Sequence, residues 1–427
     1  MVVLEKGFTA SQAVSAAGYP RTLYISFDGL LEPLGRSQVL SYLLPLTERG
    51  FPYTVISLER ERDLRDKDTI QQLERELSAH NIHWVHFPFH TGGSRAVLKN
   101  CRTVLSAARE LIRQDDIRLI HARSYVPALL ARLLRRRFST PYIFDMRGYW
   151  IDELRDEGRW FTNTLAYRMG KQIEKRLVKD AAAIVTLTQI QADDLRGGLL
   201  KDLREKPVEV ITTCASYEEF TPDRQSSGHI ASELLARFKE RLTVGLVGSI
   251  NASYSTDASV MFFRHLLEER EDAHLICLTR QVEEMKALLD KHKIPESAYT
   301  LATVAHSEMA DWLPLMDWAL LLLNTRYSKR GSMPTKLAEF FAAGVRPVQY
   351  GCNREVSEKI REAGAGIVLR GLEDSDLREA AREVAHTPRS AEAISRARDL
   401  TRAHFSLEAG VDKYAALLSR LYSEEAR

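Results

Sequence analysis

Thirteen short apolar runs, most of them followed by a polar loop and then an amphipathic helical stretch, limit what this chain can fold into. Runs at 21–27, 53–58, 82–87, 119–121, 142–145, 183–187 and 207–211 form a first series. Helical patterns over 35–46, 62–79, 95–114, 126–137 and 160–180 lie between them. A second series follows at 242–247, 274–278, 299–301, 318–323, 345–350 and 366–369. Short strands alternating with helices require crossover connections, which makes the sheets parallel and open, with helices on both faces. The rhythm breaks over 205–240, where a polar stretch covers 222–228. The α/β chain is therefore predicted to hold two Rossmann-like doubly wound domains. The expected division is a lead-in over 1–20, a first domain over 21–215, a linker over 216–240, a second domain over 241–400 and a closing helix over 401–427. One large sheet is the alternative, but 427 residues is long for a single domain and ordinary for two.

Composition narrows the function classes only a little. A hydrophobic share of 44% and a charged share of 28% exclude a disordered chain. Residues 1–200 carry 29 Lys and Arg against 23 Asp and Glu, and the remainder 31 against 35, so the first half suits an anionic partner better than the second. Cys101, Cys214, Cys277 and Cys352 stand far apart, with neither metal-ligand spacing nor a disulfide framework, and are read as reduced thiols. No run approaches about 18 apolar residues, and the first twenty lack the pattern of a secretory signal, so a cytoplasmic location is expected.

The segment 328–350, SKRGSMPTKLAEFFAAGVRPVQY, carries the most chemistry. Pro334 suits a first helical turn, where its missing N–H is no loss, with Ser332 as the cap and Gly331 leaving the backbone open. A helix start offers unpaired N–H groups and a positive dipole end, which together make an anion site. Glu339 falls near that end, where a buried carboxylate could accept two ribose hydroxyls. A capped helix with Glu339 bridged to Lys336 or Arg346 is the purely structural reading. Gly344 and Pro347 close the helix.

This segment resembles the donor-nucleotide signature of glycosyltransferase family 4. The resemblance implies that Glu339 holds the nucleotide ribose and that the backbone of Ser332, Met333, Pro334 and Thr335 meets a diphosphate. It extends to 28–38 (DGLLEPLGRSQ), where the glycine, Gly35, would let the loop approach the sugar diphosphate beside Arg36. It also covers 246–250 (LVGSI), with Gly248 and Ser249 at the opening of the second domain, and 306–320 and 403–408. The implied fold is GT-B, two Rossmann-like domains facing a central cleft with a C-terminal helix crossing back to the first. The implied function is glycosyl transfer from a nucleotide-sugar, a UDP- or GDP-sugar above all, in polysaccharide biosynthesis, with no cofactor and no metal.

Two departures from the family pattern bear on the chemistry. The first glutamate of its Glu-x7-Glu pair is replaced by Gly331, and the loop 248–254 lacks the usual lysine. Lys336, Arg36, Arg326, Lys329 and Arg330 become the candidates to neutralise the leaving diphosphate, Lys336 foremost. In the first half His121 and Arg123 stand where relatives often show His-x-His. Asp145 and Arg147 follow the next strand, in a segment that also holds Trp150 and Glu153, expected to meet the acceptor. Because open α/β sheets take ligands at the carboxyl ends of their strands, Asp28, His121, Arg123, Asp145 and Arg147 are expected to converge there, with Asp28, His121, Arg123 and Asp145 joining Lys336 as the catalytic set and Arg147 at the acceptor. An Asp145–Arg147 bridge that merely holds the loop, and a His121 buried in the core, are the structural alternatives.

Retention is the family expectation, with the leaving phosphate oxygen taking the acceptor proton. An inverting enzyme would instead use Asp28, Asp145 or Glu153 as base. The basic helix end 129–138 either packs its leucines on the sheet with its arginines in water or rests on anionic lipid, which would place the protein peripherally on a cytosolic membrane face, acting on a glycan, lipid-linked or small-molecule acceptor. Rival readings are a nucleotide-sugar 2-epimerase, a catalytically altered nucleotide-sugar-binding relative, a phosphorylase and a two-domain periplasmic binding protein. No nucleic-acid partner is expected.

Overall fold

The computed structural model describes residues 18–158, 164–201, 205–224, 228, 230–251, 253–351 and 354–425. Most of the lead-in, Cys352 and part of 222–229 lie outside the described residues. All thirteen apolar runs form strands: β1 (Arg21–Ile25), β2 (Tyr53–Glu59), β3 (Ile82–Pro88), β4 (Ile117–Arg123), β5 (Tyr142–Asp145), β6 (Ala183–Thr186) and β7 (Val208–Val210), then β8 (Leu242–Val247), β9 (Ala273–Leu278), β10 (Tyr299–Ala302), β11 (Trp318–Leu322), β12 (Arg346–Tyr350) and β13 (Ile367–Val368). They make a seven-stranded sheet of order β3-β2-β1-β4-β5-β6-β7 and a six-stranded sheet of order β10-β9-β8-β11-β12-β13. In each sheet the order runs outward one way from the first strand and then resumes on its other side. The reversals, between β1 and β4 and between β8 and β11, are the places where such sheets take ligands.

Two compact units share the chain, residues 1–143 with 415–427, and residues 144–414. In the first, the end of the Leu407–Glu425 helix packs beside β1, where the Tyr422 hydroxyl lies 2.6 Å from Thr22 Oγ1. The helical pattern from residue 35 becomes a π-turn over Arg36–Leu40 followed by a helix over Ser41–Glu48. Pro45 inside that helix has no N–H to donate to Ser41, so the regular ladder is broken there. The pattern predicted over 62–79 becomes a helix only at Lys67–Ala79, because the Asp66 side chain caps it by accepting from Thr69 N at 3.1 Å.

In the second unit the strand period of two sorts the core. Ala319, Leu321 and Leu323 face one cluster, and Trp318, Leu320 and Leu322 the other. The helix Thr335–Ala343 lays Leu337, Phe340 and Phe341 on the first of these faces, each fully buried apolar side chain contributing roughly 1.5–3 kcal/mol. Gly344 ends it at φ 74°, a left-handed turn that favours glycine. Within 216–240 a helix forms over Ser232–Lys239, and Tyr217, Phe220 and Phe238 join the same core.

Candidate nucleotide site at the second sheet reversal

Thr335 is the first residue of its helix, and Pro334 stands at the N-cap with ψ 125°. The prediction placed Pro334 inside the first turn and Ser332 as cap. The structure moves the start two residues on, leaves Ser332 extended (φ −98°, ψ 142°), and caps the helix with no side chain. The first-turn N–H groups therefore have no side-chain acceptor, the condition in which a helix start attracts an anion. Met333 is buried in the core, so only its backbone can meet a ligand.

Glu339 and Lys336 lie one turn apart on this helix. Glu339 is 7% exposed, yet no described residue donates a hydrogen bond to its carboxylate. Burial pushes its pKa up to about 7, against the lowering field of Lys336. Burial likewise brings Lys336 down to about 8, with Glu339 opposing. No contact ion pair forms between them. Instead Lys336 Nζ donates to the Val247 carbonyl and sits 4.1 Å from the Tyr254 ring centroid. Gly248, at φ 110°, holds a backbone conformation that side chains rarely adopt, and a Cβ there would come within 2.7 Å of Lys336 Nζ, which would have to shift. Lys336, Gly248, Ser249 and Tyr254 line one small cavity at the carboxyl end of β8. The loop 248–254 lacks a lysine of its own, and the cation there is supplied from the neighbouring helix.

The other basic candidates of this segment are committed. Arg326 Nη1 donates to the Asp156 carbonyl at 2.6 Å, and Ser328 N to the Asp156 carboxylate at 2.9 Å. Lys329 pairs with Glu153 at 2.7 Å, and Arg330 lies 3.5 Å from Asp194. Gly331 follows the short turn Tyr327–Gly331, and a Cβ on it would come within 2.9 Å of the Tyr149 ring. Tyr149 is fixed by donating its hydroxyl to Asp194 at 2.6 Å. A side chain at Gly331 would therefore meet an aromatic ring. Glu153, expected at the acceptor, is held by Lys329, and Trp150 is partly exposed nearby in sequence. Asp145 is buried, accepts from the Tyr414 hydroxyl at 3.4 Å and lies 3.7 Å from Arg147, whose φ of 34° is unusual for a residue with a side chain.

In the first unit the reversal between β1 and β4 brings Asp28 and Arg123 together, with Arg123 Nε donating to the Asp28 carboxylate at 3.0 Å. Arg123 is 5% exposed and Asp28 43%. His121 is buried with its ring centroid 4.6 Å from that of Tyr24. Gly35 has a packing reason: a Cβ would come within 2.0 Å of the Gly29 carbonyl oxygen, so the glycine closes its own loop. Arg36 pairs with Glu76 at 3.2 Å.

Sequence reasoning missed Glu59, a buried carboxylate at the end of β2 that accepts from Leu30 N at 2.8 Å and Leu31 N at 3.1 Å and shapes the Asp28 loop. A glutamate closing an otherwise apolar strand was the available signal. Tyr149, Asp194 and Tyr254 were also missed, and no local pattern marks them. Among the described residues no group of three or more His, Cys, Asp or Glu side chains is arranged to hold a metal, and no helix is long and apolar enough to cross a membrane.

Comparison with known proteins adds three observations. Residues 36–214 match the model of the glycosyl transferase 4-like domain. No curated protein matches the chain in sequence. Solved structures match nearly end to end. Sucrose-phosphate synthase from Thermosynechococcus elongatus superposes with TM-score 0.67 at 11% identity, covering 95% of this chain and 100% of that one. Anabaena HepE, in complex with UDP and glucose, gives 0.66 at 13%, covering 94% and 100%. A putative UDP-N-acetylglucosamine 2-epimerase from Listeria monocytogenes gives 0.61 at 12%, covering 94% and 97%. At these identities the likeness establishes the fold.

Proposed function

We propose that this chain, which carries a glycosyl transferase 4-like domain on a GT-B fold, transfers a glycosyl group from a nucleoside-diphosphate sugar to a glycan or lipid-linked acceptor. The observation that carries the reading is Glu339: a buried carboxylate without a protein donor, on the first turns of an uncapped helix at a sheet reversal. A carboxylate so placed gains what it lacks when two ribose hydroxyls donate to it. Thr335 and the amides around it then meet the diphosphate, and Lys336 supplies the positive charge that the leaving phosphate needs. The three HepE complexes, with UDP, with UDP and glucose, and with UDP-glucose, make a UDP-sugar the first donor to try. Retention without a metal is the mechanism we assign, the departing phosphate oxygen taking the acceptor proton. Calorimetry and turnover against UDP-, GDP- and dTDP-sugars test this reading. Saturable binding of one class with slow donor hydrolysis supports it, and neither binding nor turnover with any class refutes it.

A binding-only relative is the second reading, favoured by one observation: Arg326, Lys329 and Arg330 are all committed to the Asp156 backbone or to carboxylates. Donor binding with no hydrolysis and no transfer to any glycan acceptor would select it.

A peripheral membrane position is part of the proposal. The helices Ser94–Gln114 and Tyr125–Phe138 expose Val97, Leu98 and Leu133 beside Arg95, Lys99, Arg135, Arg136 and Arg137, and neither 91–109 nor 124–138 contains an acidic residue. Apolar side chains set among unopposed cations suit an anionic headgroup layer. Sedimentation with phosphatidylglycerol vesicles but not with phosphatidylcholine vesicles is the expected result. Equal partition between the two would remove this part.

A further inference from the structure

A cavity of about 330 Å³ opens within the second unit at the amino ends of β11, β12 and β13, against the far end of the Thr335–Ala343 helix from Thr335. Open α/β sheets take their main ligands at the opposite, carboxyl ends, so this cavity is distinct from the nucleotide site. The first residues of the three strands, Trp318, Arg346 and Ile367, line it together with Phe341, Val345 and Ile394. Its volume is at the low end for small-molecule sites.

The wall has more donors than acceptors. The Arg346 guanidinium stacks 3.9 Å from the Trp318 ring centroid, and its Nη1 donates to the Pro388 carbonyl at 3.1 Å. Arg346 makes no ion pair with any described residue. The adjacent carboxylate, Asp317, is already engaged: its Oδ2 accepts from Thr243 N and Oγ1 at 3.0 Å each, and Arg389 lies 3.0 Å from its Oδ1. Arg346 Nε and Trp318 Nε1 are both buried with no acceptor among the described residues. Burial presses the Arg346 pKa down, against the raising field of Asp317. Arg398 adds a second positive charge, although its own donors are spent on the Ala342 and Tyr217 carbonyls. Glu383 on the rim is exposed, so water screens it. A half-buried guanidinium that makes no ion pair, with its own Nε and the neighbouring Trp318 Nε1 both lacking an acceptor above an apolar floor, is costly for the empty protein and complementary to an anion with an apolar body.

We infer that this cavity is a second binding site, for a small organic anion whose carboxylate or phosphate faces Arg346 and whose apolar body covers Phe341, Val345, Ile367 and Ile394. The inference stands independently of the transferase reading.

Four probes test it on the full chain by calorimetry and saturation-transfer NMR: benzoate, phenyl phosphate, benzyl alcohol and inorganic phosphate. Saturable binding of benzoate or phenyl phosphate is expected at millimolar concentration or below, with benzyl alcohol and inorganic phosphate at least about tenfold weaker, because each supplies only half of the match. Arg346→Gln should weaken the anion at least about tenfold, the value of one charge-assisted bond. Ile394→Trp, a filling change on a half-buried helical position, should abolish binding and keeps the test decisive where Arg346→Gln does not fold. Glu339→Ala should bind the anion as the wild type does, so failure of the nucleotide site leaves this result standing. No saturable binding of either organic anion, or binding unchanged in Ile394→Trp, overturns the inference.

Discussion

The two sheet reversals are built alike and furnished in opposite ways. Between β1 and β4 the charged groups answer one another: Arg123 donates to Asp28, Glu59 takes the amides of the loop, and Gly35 closes on Gly29. Between β8 and β11 they do not. Lys336, half-buried, and Glu339, buried, share a helix turn yet form no contact pair, and the carboxylate has no donor from any described residue. A reversal that satisfies its own charges has an ordered loop to present, whereas one that leaves a buried carboxylate and an uncapped helix start is stabilised by what binds there.

The largest test of that contrast is Glu339→Ala. Hydrogen bonds to a charged acceptor contribute about 1.5–3 kcal/mol each, so losing two should weaken nucleotide-sugar binding roughly 100-fold or more. The melting temperature of the unliganded protein should not fall, because burial disfavours the Glu339 charge more than the Lys336 field favours it. Unchanged donor affinity in calorimetry, or a collapse of the unliganded fold, would erase the distinction between the two reversals.

Gly331→Glu puts a side chain in a place the structure has closed. The Tyr149 ring should make it destabilising by about 1–3 kcal/mol, the usual cost of overpacking. Adding Tyr149→Ala should recover part of the loss. Denaturant midpoints of the single and double variants measure this, and an additive double variant would show that the ring is not the obstacle.

The pH dependence sharpens the comparison further. Glu339 has a pKa of about 7 in the fold against 4.5 for an ordinary glutamate, so its ionisation is disfavoured in the native state. Its contribution is fully present below about 4.5 and is lost as pH rises through 7. Lys336, at about 8 against 10.5, behaves in the mirror sense, its contribution present above 10.5 and lost as pH falls through 8. The melting temperature of Glu339→Gln relative to wild type should therefore climb between about pH 4.5 and 7 and level off above. A flat difference across that range would show that Glu339 is solvated.

Much of this was legible beforehand. Every strand was readable because buried parallel strands are continuous apolar runs, and the β12 and β13 runs were as plain as β1. The Thr335–Ala343 helix, its end at Gly344 and the placing of Lys336 and Glu339 near its start followed from local pattern. The partners could not be read, because contact across a hundred residues leaves no local trace. Lys329 looked free until Glu153 stood beside it, and Gly331 looked like a missing glutamate until Tyr149 filled the space. Gly35 read as a ligand contact, and its close neighbour is a carbonyl of its own loop.

The smallest expected effect concerns the satisfied reversal. If Asp28 and Arg123 mainly hold the loop, a double-mutant cycle of Asp28→Asn and Arg123→Met should show a stability coupling of about 0.5–3 kcal/mol, the range for residues in contact. Arg123 is the more buried partner, so its replacement should cost more than that of the half-exposed Asp28. Donor affinity should remain at the wild-type value in all three variants, since neither side chain belongs to the nucleotide set. Turnover separates positioning from chemistry: a loss that follows Asp28 alone, with no coupling in stability, would make its carboxylate a reacting group. A coupled loss in both measurements would leave it a structural anchor, and the two reversals would then differ in role as well as in furnishing.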